Sequence, residues 1–233
     1  MRSTNPGVRA ARRSMSSDER RAQIVLTAAN LFDQSTYSAT TMDDIAAEIG
    51  LAKTTLYHYF SSKEEILREI HEEFINLLLA GHAARVHSGL RPEQMLLEAM
   101  ADILELMQTH RGHVRVFFES HRELLAPARA AVRASRDEYE DIIRSLVESC
   151  ITLGIFRAAD PRLVTLGIFG MCNWAYQWYP LSSNSRVNRP REIAYSFWNY
   201  LVFGLASEEL RADSRSWAAD SRRAPARVDV EES

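Results

Sequence analysis

The sequence predicts an all-α protein, and three observations carry that reading. Gly (9) and Pro (7) are scarce in 233 residues, apolar residues recur at three- and four-residue spacing along most of the chain, and no run alternates as a half-buried strand requires. With 46% hydrophobic and 25% charged residues the chain has the balance of an ordinary folded protein and the length to bury a core. Its two cysteines, Cys150 and Cys172, make neither a disulfide framework nor a CxxC pair, which fits inert core thiols in a reducing cytoplasm. Met1 to Ala11 lacks the continuous apolar segment of an export signal, so a cytoplasmic location is expected.

The elements follow in order. Residues 1–17 hold Arg2, Arg9, Arg12 and Arg13 without an acid and read as a disordered basic arm. Ser16 with Glu19 fits a capping box opening a helix from about Asp18 to Gln34, whose inner face is Ile24, Ala28, Leu31 and Phe32. Thr41 caps a short second helix with Met42, Ile45, Ala46 and Ile49 inside, and Gly50 suits its stop. A short third helix follows, with Leu51, Leu56 and Phe60 inward and a polar, aromatic face of Lys53, Thr54, Thr55, Tyr57, His58 and Tyr59 to be placed. Ser61 or Ser62 caps a long fourth helix carrying Ile66, Leu67, Ile70, Phe74, Leu77 and Leu78.

Beyond Gly89 the helices lengthen. Pro92 opens one with Leu96, Met100, Leu104 and Met107 on a face, Gly112 breaks it, and Val114, Phe117, Phe118 and His121 begin the next. A long helix is expected from about Ala128 to Gly154. Asp160-Pro161 starts another that ends near Pro180, and because no charge falls between Leu163 and Ser185 this segment should be buried on all sides, in a core or between subunits. Its Gly167 and Gly170 would let helices approach closely. Ser182 to Arg189 reads as a polar loop, Pro190 opens the last helix with Ile193, Phe197, Leu201 and Gly204 on one side, and residues 211–233 read as a disordered tail.

Charge is unevenly placed. The 28 basic and 31 acidic residues give a formal net charge of -3, which excludes a uniformly basic nucleic-acid coat. Residues 1–63 nevertheless carry eight basic against six acidic residues, so the positive end is the N-terminal one. Only two of the 28 basic residues are lysines, and these, Lys53 and Lys63, flank the third helix. Two short helices joined at Gly50 make a helix-turn-helix, whose second helix lies in a DNA major groove; the alternative is a small three-helix core with a merely solvated face.

The run Thr40-Thr41-Met42-Asp43-Asp44-Ile45-Ala46, followed by Gly50-Leu51-Ala52-Lys53-Thr54-Thr55-Leu56-Tyr57-His58-Tyr59-Phe60-Ser61-Ser62-Lys63-Glu64-Glu65, closely resembles the DNA-binding domain of the TetR family of bacterial transcription regulators. The resemblance covers roughly residues 20–68. It implies a homodimer, usually a repressor, with a three-helix DNA-binding domain (18–65) and about six helices forming a ligand-binding and dimerisation domain (66–210). By position, Thr41 would meet a phosphate of double-stranded operator DNA, Lys53, Thr54 and Thr55 base edges, Tyr57 and His58 backbone or thymine methyls, and Lys63 a phosphate. Many relatives have Ser-Lys-Gly where this chain has Ala52-Lys53-Thr54, so operator sequence does not transfer.

Asn173-Trp174-Ala175-Tyr176-Gln177-Trp178-Tyr179 resembles a segment of relatives that regulate fatty-acid and steroid breakdown in response to acyl-CoA thioesters. A basic residue follows in those; here Pro180 does, leaving Arg186, Arg189 or a partner arginine as the phosphate anchor. The candidate effector site is Met107, Phe117, Phe118, His121, Trp174 and Trp178 as walls with Asn173 and Gln177 as polar orienters. Trp174 and Trp178, four apart, would equally serve core or dimer packing. A drug-like hydrophobic ligand of an efflux-gene regulator is the alternative effector. No phosphate loop, nucleophile elbow or paired-carboxylate motif marks an enzyme, and the spacing of His110, His113, His121 and Glu119 is too generic for a metal site, so neither catalysis nor a cofactor is expected.

Overall fold

The computed structural model describes residues 15–179 and 189–203, which form nine α-helices and no strand. The basic arm before Met15, the segment 180–188 with Arg186, and the chain from Gly204 onward, including the expected tail, lie outside the described residues.

The N-terminal caps form as their sequences dictate. Helix α1 (Ser17–Ser35) opens with a reciprocal box in which Glu19 N donates to Ser16 Oγ (3.1 Å) and Ser16 N to Glu19 Oε2 (2.7 Å). Helix α2 (Met42–Ile49) repeats the device with Thr41 and Asp44, and Gly50 closes it in the left-handed region (φ 75°) that a side chain resists. Helix α3 (Lys53–Tyr59) is anchored by Leu56 and, just beyond it, Phe60, both wholly buried. Arg21 of α1 braces the group: it donates to Tyr59 O (2.8 Å), pairs with Glu69 and lies 4.0 Å over the Phe60 ring.

Helix α4 (Lys63–Arg85), capped by Ser62, links this head to the body. Ile66, Leu67 and Ile70 sit at its head end and Phe74, Ile75 and Leu78 further along, all within one continuous apolar core. In the body, α5 (Pro92–Thr109) is the central post, touching α4, α6 (Arg111–Glu119), α7 (Ala126–Thr152), α8 (Pro161–Trp174) and α9 (Pro190–Phe203). Arg191 pins α9 to α5 through Glu98 (2.9 Å) and Glu105 (2.7 Å). Short 3-10 turns follow α6 (His121–Glu123) and α8 (Ala175–Gln177). Cys150 and Cys172 are buried free thiols, pushed up by burial to about 11 and about 12, and therefore unreactive.

Three expectations change. Gly112 is not a breaker: the chain turns at His110, and Gly112 lies inside α6, where its missing side chain lets α6 meet α1. The uncharged segment is not one helix to Pro180, since α8 ends at Trp174 and tightens into a 3-10 turn. Nor is α8 buried on all sides. Thr165, Ile168 and Cys172 face the core, whereas Leu163 (67% exposed), Leu166, Gly167, Gly170 and Trp174 (64% exposed) form an outward stripe, and among the described residues nothing beyond the adjoining backbone of α8 lies within 4 Å of a Cβ added at either glycine. No helix among the described residues is long and apolar enough to cross a membrane.

Candidate nucleic-acid interface and ligand cavity

The outer face of α3 is as polar as its sequence. Lys53, Thr54, Thr55, Tyr57 and His58 are all exposed, while Leu56 alone is wholly buried. Lys53 Nζ pairs with Asp43 Oδ1 of α2 (2.8 Å), a bond that ties the two helices and holds the ammonium above its ordinary pKa. Being exposed on both sides, the pair is weak and can be exchanged for another anion.

Two residues expected to meet phosphate already have work inside the head. The Thr41 hydroxyl donates to Asp44 Oδ2 (2.7 Å) and accepts from Asp44 N, so its proton is committed to the cap, and the hydroxyl together with Thr41 N, which also donates to Oδ2 (2.8 Å), keeps the Asp44 carboxyl below the usual carboxylate range. Lys63 Nζ donates to Tyr37 O and Thr40 O, each at 2.8 Å, and lies 4.3 Å over the Tyr37 ring. Lys63 thus fixes the α1–α2 loop against the start of α4. Sequence position gave its charge and its place at a helix start, but not these carbonyls, because they arrive from 23 and 26 residues away.

The body holds a cavity of about 370 Å³. Phe74, Ile75 and Leu78 of α4, Ile103 of α5, Phe117 and Phe118 of α6, Tyr139 of α7 and Phe169 of α8 supply its apolar wall. Of the residues expected there, Phe117, Phe118, His121 and Asn173 line it. Met107, Trp174, Gln177 and Trp178 do not: Met107 is packed in the α5 core at 4% exposed, Gln177 is exposed, and both tryptophans turn outward. For the tryptophans the physical reason is the setting of α8: Thr165, Ile168 and Cys172 take its inner face, so Trp174, in line with Leu163, Gly167 and Gly170, emerges on the outer one. Asn173 remains on the inner side, and Tyr176 of the 3-10 turn stacks on Phe118 (5.0 Å, 16°).

What the sequence reading missed is the mouth. Arg129, Arg133 and Arg136 line the cavity from α7, exposed and spaced at i, i+4 and i+7 so that they share one face, with Asp137 and Glu140 beside them. Arg129 donates to Leu124 O (2.7 Å) and Arg122 O (3.0 Å), holding the 3-10 turn, and Arg136 lies 5.2 Å over the Phe117 ring. The signal was present as arginines interleaved with Val132 and Tyr139 on one helical stripe. Among the described residues, no cluster of three or more His, Cys, Asp or Glu is placed to hold a metal ion.

The cavity touches the head by two routes. Helix α4 carries both, and α6, whose Phe117 and Phe118 line the cavity, packs on α1. An added Cβ on Gly112 would fall 2.7 Å from Ala29 C, and Asp33 of α1 pairs with both Arg111 (3.2 Å) and Arg115 (2.8 Å) of α6.

Residues 24–70 match the family described as bacterial regulatory proteins, tetR family, and residues 89–205 match the tetracyclin repressor-like C-terminal domain. The chain is similar to the HTH-type transcriptional repressor KstR2 of Rhodococcus jostii (strain RHA1), at 26% identity over 190 residues covering 81% of this chain and 92% of that protein. It also resembles the solved TetR family transcriptional regulator PfmR from Thermus thermophilus, with a TM-score of 0.72, 28% identity and coverage of 79% of this chain and 100% of that one. AibR, solved in complex with isovaleryl coenzyme A and operator DNA, gives a TM-score of 0.70 at 26% identity, covering 78% of this chain and 98% of that one.

Proposed function

The chain belongs to the TetR family of bacterial regulatory proteins and is a DNA-binding transcriptional regulator, and on that premise we propose a cytoplasmic, homodimeric repressor released from its operator by an acyl-CoA thioester. The carrying observation is the cavity itself: an aromatic interior that accepts an acyl chain, opening beside Arg129, Arg133 and Arg136, which suit the phosphates of a nucleotide carrier. These arginines supply the anchor missing after Tyr179. A drug-like hydrophobic ligand without an anionic group would leave these arginines unused, which favours the thioester over the efflux alternative. AibR, bound to isovaleryl coenzyme A and DNA, supports the same ligand class.

In this reading residues 18–65 are the DNA-binding head, with Lys53, Thr54 and Thr55 at base edges, Tyr57 and His58 alongside, and Thr41 and Lys63 bracing the elements that approach phosphate. Residues 66–210 bind the effector and the second subunit. The outward stripe of α8 faces that subunit, with Trp174 in the stripe rather than in the cavity. Release follows from differential binding: a ligand favouring the form whose two heads are wrongly spaced by about tenfold to a hundredfold, ~1.4 to 2.7 kcal/mol, draws the dimer off DNA.

The test is a gel-shift titration of the protein on its own upstream DNA against random duplex, with octanoyl-CoA and octanoic acid added in parallel. Release by the thioester at micromolar concentration, with the acid weaker, is the expected result. Sequence-specific binding that no thioester relieves below millimolar concentration defeats the effector assignment.

A further inference from the structure

Behind the cavity wall stands a side chain without a polar partner among the described residues. His71 of α4 is 0% exposed, and neither Nδ1 nor Nε2 meets a hydrogen-bonding group of those residues. It stands one helical turn before Phe74 and Ile75, two of the α4 residues in the cavity wall, and so continues that wall toward the head. Phe117 both lines the cavity and packs against His71, at 5.3 Å between ring centroids, and lies 4.4 Å from Phe74.

A neutral imidazole has one donor and one acceptor, and leaving both unmet inside an apolar wall is costly. A leucine or phenylalanine would fill the space without that cost. Burial, reinforced by His121 and Arg136, pushes the His71 pKa down to about 4, so at neutral pH the ring is uncharged and does not attract an anion. Its natural partner is a neutral oxygen.

Building on the effector reading above, we propose that His71 is the polar end of the effector site. The effector is an amphipathic molecule whose anionic head meets the α7 arginines and whose far end carries a hydroxyl or carbonyl oxygen that hydrogen-bonds His71 once Phe117 turns aside. This contact touches α4 and α6 together, the two helices that lead into the head. An oxygenated acyl chain is therefore distinguished from a plain one of the same length.

Octanoyl-CoA and its ω-hydroxy counterpart differ only in that oxygen. The wild type is expected to bind the hydroxylated thioester about tenfold more tightly, and His71→Leu to lose the preference while holding operator DNA as before. Equal affinity of the wild type for the two, or an equal change for both in His71→Leu, overturns the proposal. A second pair, p-cresol and toluene, reaches the same end without the thioester: p-cresol should move the His71 imidazole NMR signal and toluene should not. If neither thioester binds but p-cresol moves the signal, the thioester assignment falls and the His71 contact stands. If p-cresol leaves the signal unmoved, the contact itself is refuted.

Discussion

Gly112 of α6 lies flush on the backbone of Ala29 of α1, so close that a Cβ at residue 112 would stand 2.7 Å from Ala29 C and 2.8 Å from Ala29 O. The atoms it would meet are main chain and cannot swing away. Because Phe117, five residues on, lines the cavity, this contact joins the cavity to the head through one short helix.

Gly112→Ala should force α1 and α6 apart. The expected cost is about 1–3 kcal/mol of stability, the usual range for an overpacked contact, with weakened operator binding because the head is no longer held at its native angle. Thermal unfolding and gel-shift affinity measure both, and unchanged values in both would show that the two helices separate freely.

The carboxylate of Asp33, only 13% exposed, is shared by Arg111 and Arg115. Asp33→Asn keeps the shape and removes the charge. Operator affinity without effector should stay within about threefold, while the shift produced by a saturating effector falls by about fivefold, within the ordinary size of such couplings. An effector response equal to wild type removes Asp33 from the path.

The two lysines should part company. Lys53→Ala, on the exposed face of α3, is expected to flatten the salt dependence of operator binding by about one phosphate's worth and relax base preference, with stability nearly unchanged. Lys63→Met loses two bonds to Tyr37 O and Thr40 O, so its melting temperature should fall by several degrees, on the order of 1–2 kcal/mol. Filter binding over a salt series, with a melting curve of each variant, separates these effects.

Leu166→Glu places a charge in the middle of the outward stripe of α8, where Leu163, Gly167, Gly170 and Trp174 also emerge. Light scattering should then give the mass of one chain and operator affinity should collapse, since two linked heads are needed to span two half-sites. Phe197 and Leu201, half-buried against the chain's own core, are poorer probes because their loss would damage the fold as well. A dimeric Leu166→Glu protein places the interface elsewhere.

His71 gives stability a pH dependence. Its pKa is about 4 in the fold against an ordinary 6.5, so the unfolded chain binds the proton more readily and stability is lost as pH falls from 6.5 toward 4. The full difference is on the order of 3 kcal/mol. Urea unfolding across that window should show the loss, and His71→Leu should flatten it by a comparable amount; parallel curves for the two proteins would mean the ring takes up its proton without unfolding cost.

Much was legible without coordinates, because it is local. Ser16 with Glu19 and Thr41 at helix starts, Asp160 before Pro161 and Gly50 at a left-handed stop act within four residues of themselves, and each stands where its sequence placed it, while of Ser61 and Ser62 the structure chooses Ser62 as the cap of α4. The polar face of α3 was equally readable, since helical spacing alone sorts Leu56 inward from Lys53, Thr54, Tyr57 and His58. Spacing tells which residues share a face but not what that face meets. Gly112 reads as a breaker until Ala29, 83 positions earlier, is brought against it; Trp174 reads as a cavity wall until packing turns Thr165, Ile168 and Cys172 of α8 inward and leaves it outside; and Lys63 reads as a surface charge alone, with nothing nearby in sequence to show that the Tyr37 and Thr40 carbonyls reach it. The cavity belongs wholly to that second class: its walls come from five helices separated by up to about a hundred residues, and only the packing of those helices decides that Phe74, Phe117 and Phe169 surround one space, with Arg133 at its mouth and His71 packed behind Phe117.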